Sequence, residues 1–393
     1  MIVISSVLVL SGIYLSCYVA CWLIVLVTHF SSSVRPSATG ALLTRFAIVI
    51  PAHNEELFLP RLLASSRNQD YPEELFDTIV VADNCTDSTA EVARHQGATV
   101  LTRADEGNQG KGYAIKWALE TIDLDKYDAV LIVDADCIIS TNTLKDLDGA
   151  IQEKQVVQCY NGVANPDDSW FTRLLDVSRV INNEIYHPAR RRLGLSSQLT
   201  GTGMCFATRI LRKYGWDAFT VGEDWEYYAK LIQNGETIGF DSNARVYHEE
   251  SSSLRQATSQ RMRWSSGRFA VVWRYGFRLL SMGVVQRNVL KFDAGLSLIL
   301  PNPSLGMNVT LLCLGVALLT KANHGTAITL WFFFLALAQL GVFVVGVFYT
   351  KNKLSKFLAI FIAPAFLAWK LGIDALSILG VGRKKWVRTE RKI

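Results

Sequence analysis

From Met1 to Thr28 the chain carries no charged residue, and the same apolar character returns in three blocks near the other end, roughly Gly295–Thr320, Ala327–Tyr349 and Phe357–Leu379. About 20 consecutive apolar residues span the hydrocarbon core of a bilayer. Both ends can therefore be membrane segments, whereas the stretch from Arg45 to about Arg287 has ordinary charge density. That asymmetry accounts for a charged fraction of only 19%, below the roughly 25% of soluble domains. The start MIVISS lacks Lys and Arg, so it has no basic n-region of a cleaved signal and is expected to stay as an anchor. The expected organisation is a transmembrane helix at 1–29, an α/β domain at 45–250, interfacial helices at 251–294, transmembrane or interfacial helices at 295–380 and a basic tail at 381–393.

Several classes are excluded. Ten Trp, thirteen Tyr and nineteen Phe supply too much apolar surface for a disordered chain. A net charge of +5 is too small to argue for nucleic acid as a partner. Seven scattered Cys without a Cys-x-x-Cys pair make neither a disulfide framework nor a structural zinc site. Orientation follows from basic residues near the spans: Arg35 and Arg45, then Lys351, Lys353 and Lys356, then Arg383, Lys384, Lys385, Arg388, Arg391 and Lys392. Two full carboxyl-terminal spans place all of these on the domain's side, the cytoplasmic one. The last block, with Pro364, Lys370 and Asp374, is then expected to be interfacial or re-entrant, because such groups are expensive in hydrocarbon.

Within the domain, Phe46–Ile50, Thr78–Val81 and Ala129–Val133 are short continuous apolar runs. Each ends in a polar loop, and helix-like segments lie between them at Leu57–Arg67, Thr89–Gln96 and Tyr113–Thr121. That alternation predicts strand–helix–strand units and a parallel sheet. Ligands bind such sheets outside the carboxyl ends of the strands, and all three polar clusters fall there. In Asp134-Ala135-Asp136 the two carboxylates, two apart at a strand end, can converge. Convergent carboxylates suit Mg²⁺ or Mn²⁺ that also binds diphosphate oxygens and neutralises a departing nucleotide.

Other residues carry chemistry with a plainer alternative beside it. Asp87 or Ser88 reads as a helix N-cap, which leaves Asp83 free to accept a hydrogen bond from a base or ribose. Gly107–Gly112 with Lys111 could approach phosphate, or be a simple loop. Glu223 and Asp224 open a helix whose dipole they complement, and Asp224 could also act as general base toward an acceptor hydroxyl. Gly201-Thr202-Gly203 offers a tight backbone loop. In Gln260-Arg261-Met262-Arg263-Trp264, on a helix within Arg255–Arg274, Arg263 could bind diphosphate oxygens and Trp264 stack on a sugar, or the helix could be an interfacial anchor. Trp170–Arg192, preceded by the capping pair Asp167-Asp168, reads as an amphipathic helix lying on headgroups or packed on the sheet. His248-Glu249-Glu250 could touch the substrate or line a loop, and the loop is the favoured reading.

In order, Asp83, Asp134-Ala135-Asp136, Glu223-Asp224 and Gln260–Trp264 resemble the D, D, D, Q(Q/R)xRW signature of membrane-integrated family 2 glycosyltransferases, the group of cellulose, chitin, hyaluronan and poly-N-acetylglucosamine synthases. The resemblance covers nearly the whole chain. It implies a GT-A domain with a mixed, mostly parallel sheet flanked by transmembrane helices, and an inverting, metal-dependent β-glycosyl transfer. It further implies that Asn54, Glu55 and Asp83 hold uridine and that Asp136, assisted by Asp134, carries Mg²⁺ or Mn²⁺. Asp224 would be the base and Gln260 and Arg263 would hold the diphosphate, with Trp264 facing the acceptor sugar. Lys111, Gly201, Thr202 and Glu223 complete the expected substrate site. The implied partners are a UDP-sugar of glucose or N-acetylglucosamine type, a membrane-associated glycan or lipid acceptor in a bacterial plasma membrane, and partner subunits for export. The alternatives are a processive synthase that exports its polymer, which the few membrane segments disfavour, and a catalytically silent channel or partner subunit, which the intact carboxylates disfavour.

Overall fold

The computed structural model describes residues 2–31 and 43–381, without the side chains of Ile2 and 321–325. Arg35 and the basic tail beyond 381 lie outside the described residues. After the apolar helix α1 (Ile2–Ser31) come β1 (Phe46–Ala52), α2 (Leu59–Arg67), β2 (Phe76–Asp83), α3 (Thr89–His95), β3 (Thr99–Arg103) and α4 (Lys111–Thr121). Next are β4 (Ala129–Ile132), β5 (Cys137–Ile139), α5 (Thr143–Glu153) and β6 (Val156–Val163). Helix α6 (Trp170–Val180) runs through a π turn at Ile181–Tyr186 into α7 (His187–Arg192). Then follow β7 (Met204–Ala207), α8 (Thr208–Tyr214), α9 (Glu223–Gln233) and β8 (Gly239–His248). The rest is helical: α10 (Leu254–Val271), α11 (Phe277–Val285), α12 (Val289–Ile299), α13 (Pro303–Leu319), α14 (Lys321–Phe348), α15 (Lys353–Ala359) and α16 (Ala363–Ile378).

The eight strands form one sheet in the order β3-β2-β1-β4-β7-β6-β8-β5. Strand pairs β3–β2, β2–β1, β1–β4 and β6–β8 are parallel, and β4–β7, β7–β6 and β8–β5 are antiparallel. The sheet is therefore mixed and mostly parallel, a GT-A fold. Because alternate side chains face opposite sides, Ala47 and Val49 of β1 enter one core while Phe46, Ile48 and Ile50 enter the other. Burial on both faces is why the strand reads as a continuous apolar run rather than an alternating one.

The directions of the strands gather the loops. The carboxyl ends of β1, β2, β4 and β8 lie at one edge, and so do the starts of the antiparallel β5 and β7. Segments 53–56, 83–87, 134–136, 201–203 and 248–250 thus converge although they are scattered along the chain.

Among the described residues three helical stretches are long and apolar enough to cross a membrane: Val3–Ser31, Thr326–Phe348 and Lys353–Ile378. The pair Val289–Ile299 and Pro303–Leu319 passes only jointly and bends by 61° at its break. The bend therefore falls in the first of the carboxyl-terminal apolar blocks. In the last block, Lys370 and Asp374 pair with each other and with Ser265 of α10, so these costly groups meet partners rather than lipid. Helix α1 packs on α13 and α14 through Leu8, Leu15, Ala317 and Phe332.

The α6–α7 helix packs on the sheet, where Asn183 bonds Asn161 of β6 and His187 stacks on Phe240 of β8 at 4.7 Å, and it also meets the carboxyl-terminal helices. Its Phe171, Val177 and Ile185 are buried, partly against the carboxyl-terminal helices. Its basic end is consumed in contacts: Arg190 is in a bidentate pair with Asp293, and Arg192 donates to the carbonyls of Thr28 and His29. Those carbonyls belong to the last turn of α1, which has no intrahelical donor for them. The expected cap Asp167-Asp168 is replaced by Ser169, which forms a capping box with Thr172.

Candidate active site

Strand β2 ends at Asp83, which is 5% exposed. Arg103 Nη1 at the end of β3 donates to Asp83 Oδ1 over 2.6 Å, and Asn84 Nδ2 donates to the same oxygen at 3.0 Å. Burial raises the Asp83 carboxyl above its ordinary range in spite of Arg103. Arg103 also holds Asp105 at 2.7 Å and the carbonyl of Asn108 at 2.8 Å. It therefore fixes the glycine-containing loop before Lys111. Nothing local in the sequence marks Arg103, because its role depends on β3 pairing beside β2.

Lys111, the first residue of α4, occupies the centre. Its ammonium lies 2.6 Å from Asp134 Oδ1 and 3.3 Å from Glu223 Oε1, and it donates to the carbonyl of Gly201. Burial alone would depress this lysine, but Asp134, Glu223 and Asp224 outweigh it and hold it above its usual value. One cation thus gathers the Asp134–Asp136 cluster, the 201–203 turn and the start of α9. The end of this loop, where α4 begins at Lys111, is a structural junction, not a plain connection.

Gly201 has φ 87, a conformation side chains rarely adopt, and a Cβ there would lie 3.5 Å from Asp224 Oδ2. The turn is held by the buried Gln158, whose Oε1 accepts from Thr200 N at 2.9 Å while its Nε2 donates to the Thr202 carbonyl at 2.9 Å. Thr202 Oγ1 in turn accepts from Asp134 N at 3.1 Å. Asp224 sits in the first turn of α9. Burial, followed by the charge of Glu223, pushes its carboxyl up to about 7. A group poised there is partly ionised at neutral pH, and its carboxylate form is basic enough to take a proton.

Helix α10 closes the site. A Cβ on its Gly267 would lie 2.6 Å from Gly222 N, so only glycine permits α10 to approach the start of α9 this closely. Gln260 of α10 is 7% exposed with Oε1 unpartnered, and Trp264 is 36% exposed. The Arg261 guanidinium stacks on Trp264 at 4.5 Å and pairs with Glu250. Glu250 is buried, 2.9 Å from His248 Nε2 and 3.7 Å from Arg179. Against the penalty of burial, Arg261, His248 and Arg179 hold this carboxyl well below its ordinary range. Strand β8 ends at His248, and Glu249 and Glu250 follow it as the expected loop, in which Glu250 is a buried ionic hub.

These elements enclose a single cavity of about 950 Å³. Glu55, Asp83, Lys111, Asp134, Asp136, Gly201, Thr202, Glu223, Asp224, Gln260, Arg263 and Trp264 each contribute to its wall. Asn54 does not. In a left-handed conformation at φ 57, its Oδ1 accepts from Thr86 N at 2.7 Å and so ties the β1 loop to the β2 loop. Of the two expected caps, Ser88 occupies the N-cap position without a side-chain bond, while Asp87 Oδ1 accepts from Thr89 N at 3.0 Å. Among the described residues no group of three His, Cys, Asp or Glu side chains forms a closed metal cage. Asp134 and Asp136 offer two carboxylate groups, the donor set of a hard cation that completes its shell with diphosphate oxygens and water. The wall continues beyond Trp264 to Tyr18, Trp22 and Val25 of α1 and to the break between α12 and α13, a reach that no motif foretold.

A family profile described as "Glycosyltransferase like family 2" matches residues 44–267, more than half of the chain. The Bacillus subtilis protein YdaM, described as a probable glycosyltransferase, is 24% identical over 243 residues, 59% of this chain and 57% of that one. A beta-monoglucosyldiacylglycerol synthase of Nostoc is 24% identical over 249 residues, 61% of this chain and 51% of that one. The chain thus spans about half the length of these curated relatives. A mannosyltransferase of Pyrobaculum calidifontis, solved with GDP-Man and Mn²⁺, has the same fold, with a TM-score of 0.57 at 16% identity over 95% of this chain and 99% of that one.

Proposed function

The chain belongs to the family 2 glycosyltransferases, and from that premise we propose that it is a membrane-integrated, inverting β-glycosyltransferase that moves a sugar of glucose or N-acetylglucosamine type from UDP to a membrane-associated lipid or glycan. The observation that carries the reading is the junction at Lys111, which draws Asp134, Glu223 and Gly201 together beside Asp224, in the same cavity as Asp83, Gln260, Arg263 and Trp264.

In this reading Asp83 and Glu55 receive the nucleoside, and Gln260 and Arg263 hold the diphosphate. Asp136, assisted by Asp134, would hold Mg²⁺ or Mn²⁺, which when bound would neutralise charge on the departing diphosphate. The acceptor oxygen attacks the anomeric carbon from the face opposite the diphosphate. The bond from that carbon to the diphosphate oxygen breaks and UDP leaves with the bonding electrons, while the acceptor proton passes to Asp224. Trp264 offers its face to the acceptor. Lys111 holds Asp134 and Glu223 in register and adds positive charge where the diphosphate departs. A membrane acceptor is supported by the continuity of the cavity with α1, and the relative named as a glycolipid synthase is consistent with it.

The test uses the purified full chain in lipid nanodiscs with a panel of UDP-sugars, GDP-mannose as a control and Mg²⁺ or Mn²⁺. Wild type should release UDP from at least one UDP-sugar in the presence of membrane acceptor, and Asp224→Asn should release it about 10²–10⁴-fold more slowly. Equal release by the two proteins from every donor would sink the assignment.

A further inference from the structure

The part of the cavity nearest the membrane has its own chemistry. Ile24 of α1 lines it while remaining 55% exposed on the outer surface, so the cavity reaches the face of α1 that would meet lipid. Tyr18 and Trp22 continue the wall inward, and the opposite wall is the break at Leu300–Asn302. Such a slot admits an amphiphile sideways from the bilayer, tail along α1 and headgroup toward Asp224.

Two arginines face this half. Arg190 is already neutralised by Asp293, with which it makes a bidentate contact. Arg268 is not. It comes from the last turn of α10, lies over the Trp225 ring at 5.6 Å and donates through Nη2 to the Leu300 carbonyl at 2.6 Å. That single bond satisfies a carbonyl orphaned by the helix break, as Tyr14 does for the Ile299 carbonyl at 2.9 Å. Its Nε is buried without a partner. Among the described residues no carboxylate forms an ion pair with Arg268. The carboxylate acting on it at longer range is Asp374, whose Oδ1 is committed to Lys370 and Ser265, and the neutral hydroxyls of Tyr14, Tyr18 and Tyr186 also act on it. A guanidinium kept in a low-dielectric slot without a counter-ion is costly, and a planar fork of donors matches an oxyanion.

We infer that Arg268 is the headgroup anchor of the acceptor subsite, and that the acceptor is an anionic amphiphile, a membrane lipid bearing a phosphate or carboxylate, rather than a neutral diacylglycerol. The inference rests on the glycosyltransferase reading above and narrows its acceptor. Trp225, adjacent in sequence to Asp224, places the bound oxyanion beside the reacting end of the cavity, so the same headgroup can present its nucleophilic oxygen there: a headgroup hydroxyl, whose proton passes to Asp224, or the oxyanion itself, which has no proton to give up.

The experiment supplies wild-type full chain in nanodiscs with a preferred donor and one lipid at a time: phosphatidylglycerol, a polyprenyl phosphate, a long-chain carboxylic acid or diacylglycerol. At least one anionic lipid should be glycosylated tenfold or more faster than diacylglycerol, and which one identifies the source of the oxyanion. Arg268→Gln should raise the lipid KM at least tenfold and leave the donor KM within twofold, with Arg268→Lys in between. Diacylglycerol used as well as the anionic lipids by wild type would overturn the inference while leaving the glycosyltransferase reading intact, and this arm does not depend on any variant folding. A rise in donor KM in place of lipid KM would also overturn it, since Arg268 would then serve the diphosphate. Absence of donor turnover with every lipid and glycan would fail both.

Discussion

Two carboxylate clusters flank the same cavity and are tuned in opposite directions. Around Lys111, one ammonium serves Asp134, Glu223 and Asp224, and burial pushes Asp224 up to about 7. Around Glu250, two guanidiniums and His248 serve a single carboxylate, which is held well below its usual range. The ratio of cations to carboxylates decides the outcome, since desolvation raises both acids and only surplus positive charge reverses it. A cluster short of cations keeps an acid that can exchange protons near neutrality. A cluster rich in cations keeps a permanent charge that can only hold things in place, here Arg261 and through it Trp264.

If that contrast is right, the two clusters respond oppositely to neutralisation. Asp224→Asn should lower turnover about 10²–10⁴-fold while leaving the melting temperature unchanged or raised, because it removes a charge that burial disfavours. Glu250→Ala should do the reverse in emphasis. It leaves Arg261 and Arg179 without their counter-ion, a loss of about 3–5 kcal/mol of stability, measured by denaturant unfolding of the detergent-solubilised chain. Comparable loss of stability in both variants would abolish the distinction between a working and a holding cluster.

The clusters also differ in what pH does to them. Asp224 must be ionised to act, and its carboxyl is raised to about 7, so kcat/KM should climb about tenfold per pH unit up to that value and level off above it. For stability the sign differs between the clusters. Ionising Asp224 becomes unfavourable in the folded state between its ordinary value of 3.8 and about 7, so its contribution weakens as pH rises through that window. Glu250, held below 4.5, contributes stability that is complete above 4.5 and is lost as pH falls through its folded value. A pH–rate profile flat from 5 to 8 would remove Asp224 from its role.

How much of this was legible follows from which half of the sheet is considered. Strands β1, β2 and β4 announce themselves as apolar runs ending in acidic loops, because both faces are covered and their carboxyl ends carry the loops that line the cavity. Strands β6 and β8 conceal themselves. β6 buries Gln158 and Asn161, which bond the 200–203 turn and His248, and its pairing with β8 is broken by an irregularity at Cys159–Tyr160. Polar residues buried for a network read as loop in a sequence. The same logic divides the site. Asp134, Asp136, Asp224 and Trp264 sit in local motifs, whereas Arg103, Glu250 and Arg268 matter only through partners on other elements. Asn54 shows the converse, a motif position whose side chain is spent on joining two loops.

The smallest expected effect isolates burial from charge. Arg190 and Arg191 are neighbours in one helical turn, and each pairs with a carboxylate: Arg190 with Asp293, their side chains 4% and 18% exposed, and Arg191 with Glu153 at 3.0 Å, both about half exposed. An exposed pair competes with water and must order two long side chains, so Arg191→Ala should change stability by less than about 1 kcal/mol and should fade further at high salt. Arg190→Ala leaves Asp293 in the cavity wall without its cation and should cost about 3–5 kcal/mol. The comparison holds helix, residue type and partner type constant, and Arg190 differs in its burial and in the bonds to the Ser196 carbonyl, Tyr186 and Ser297 that accompany it. Equal losses from the two arginines would mean that cation count alone, without desolvation, sets these energies, and the contrast between the Lys111 and Glu250 clusters would then need another cause.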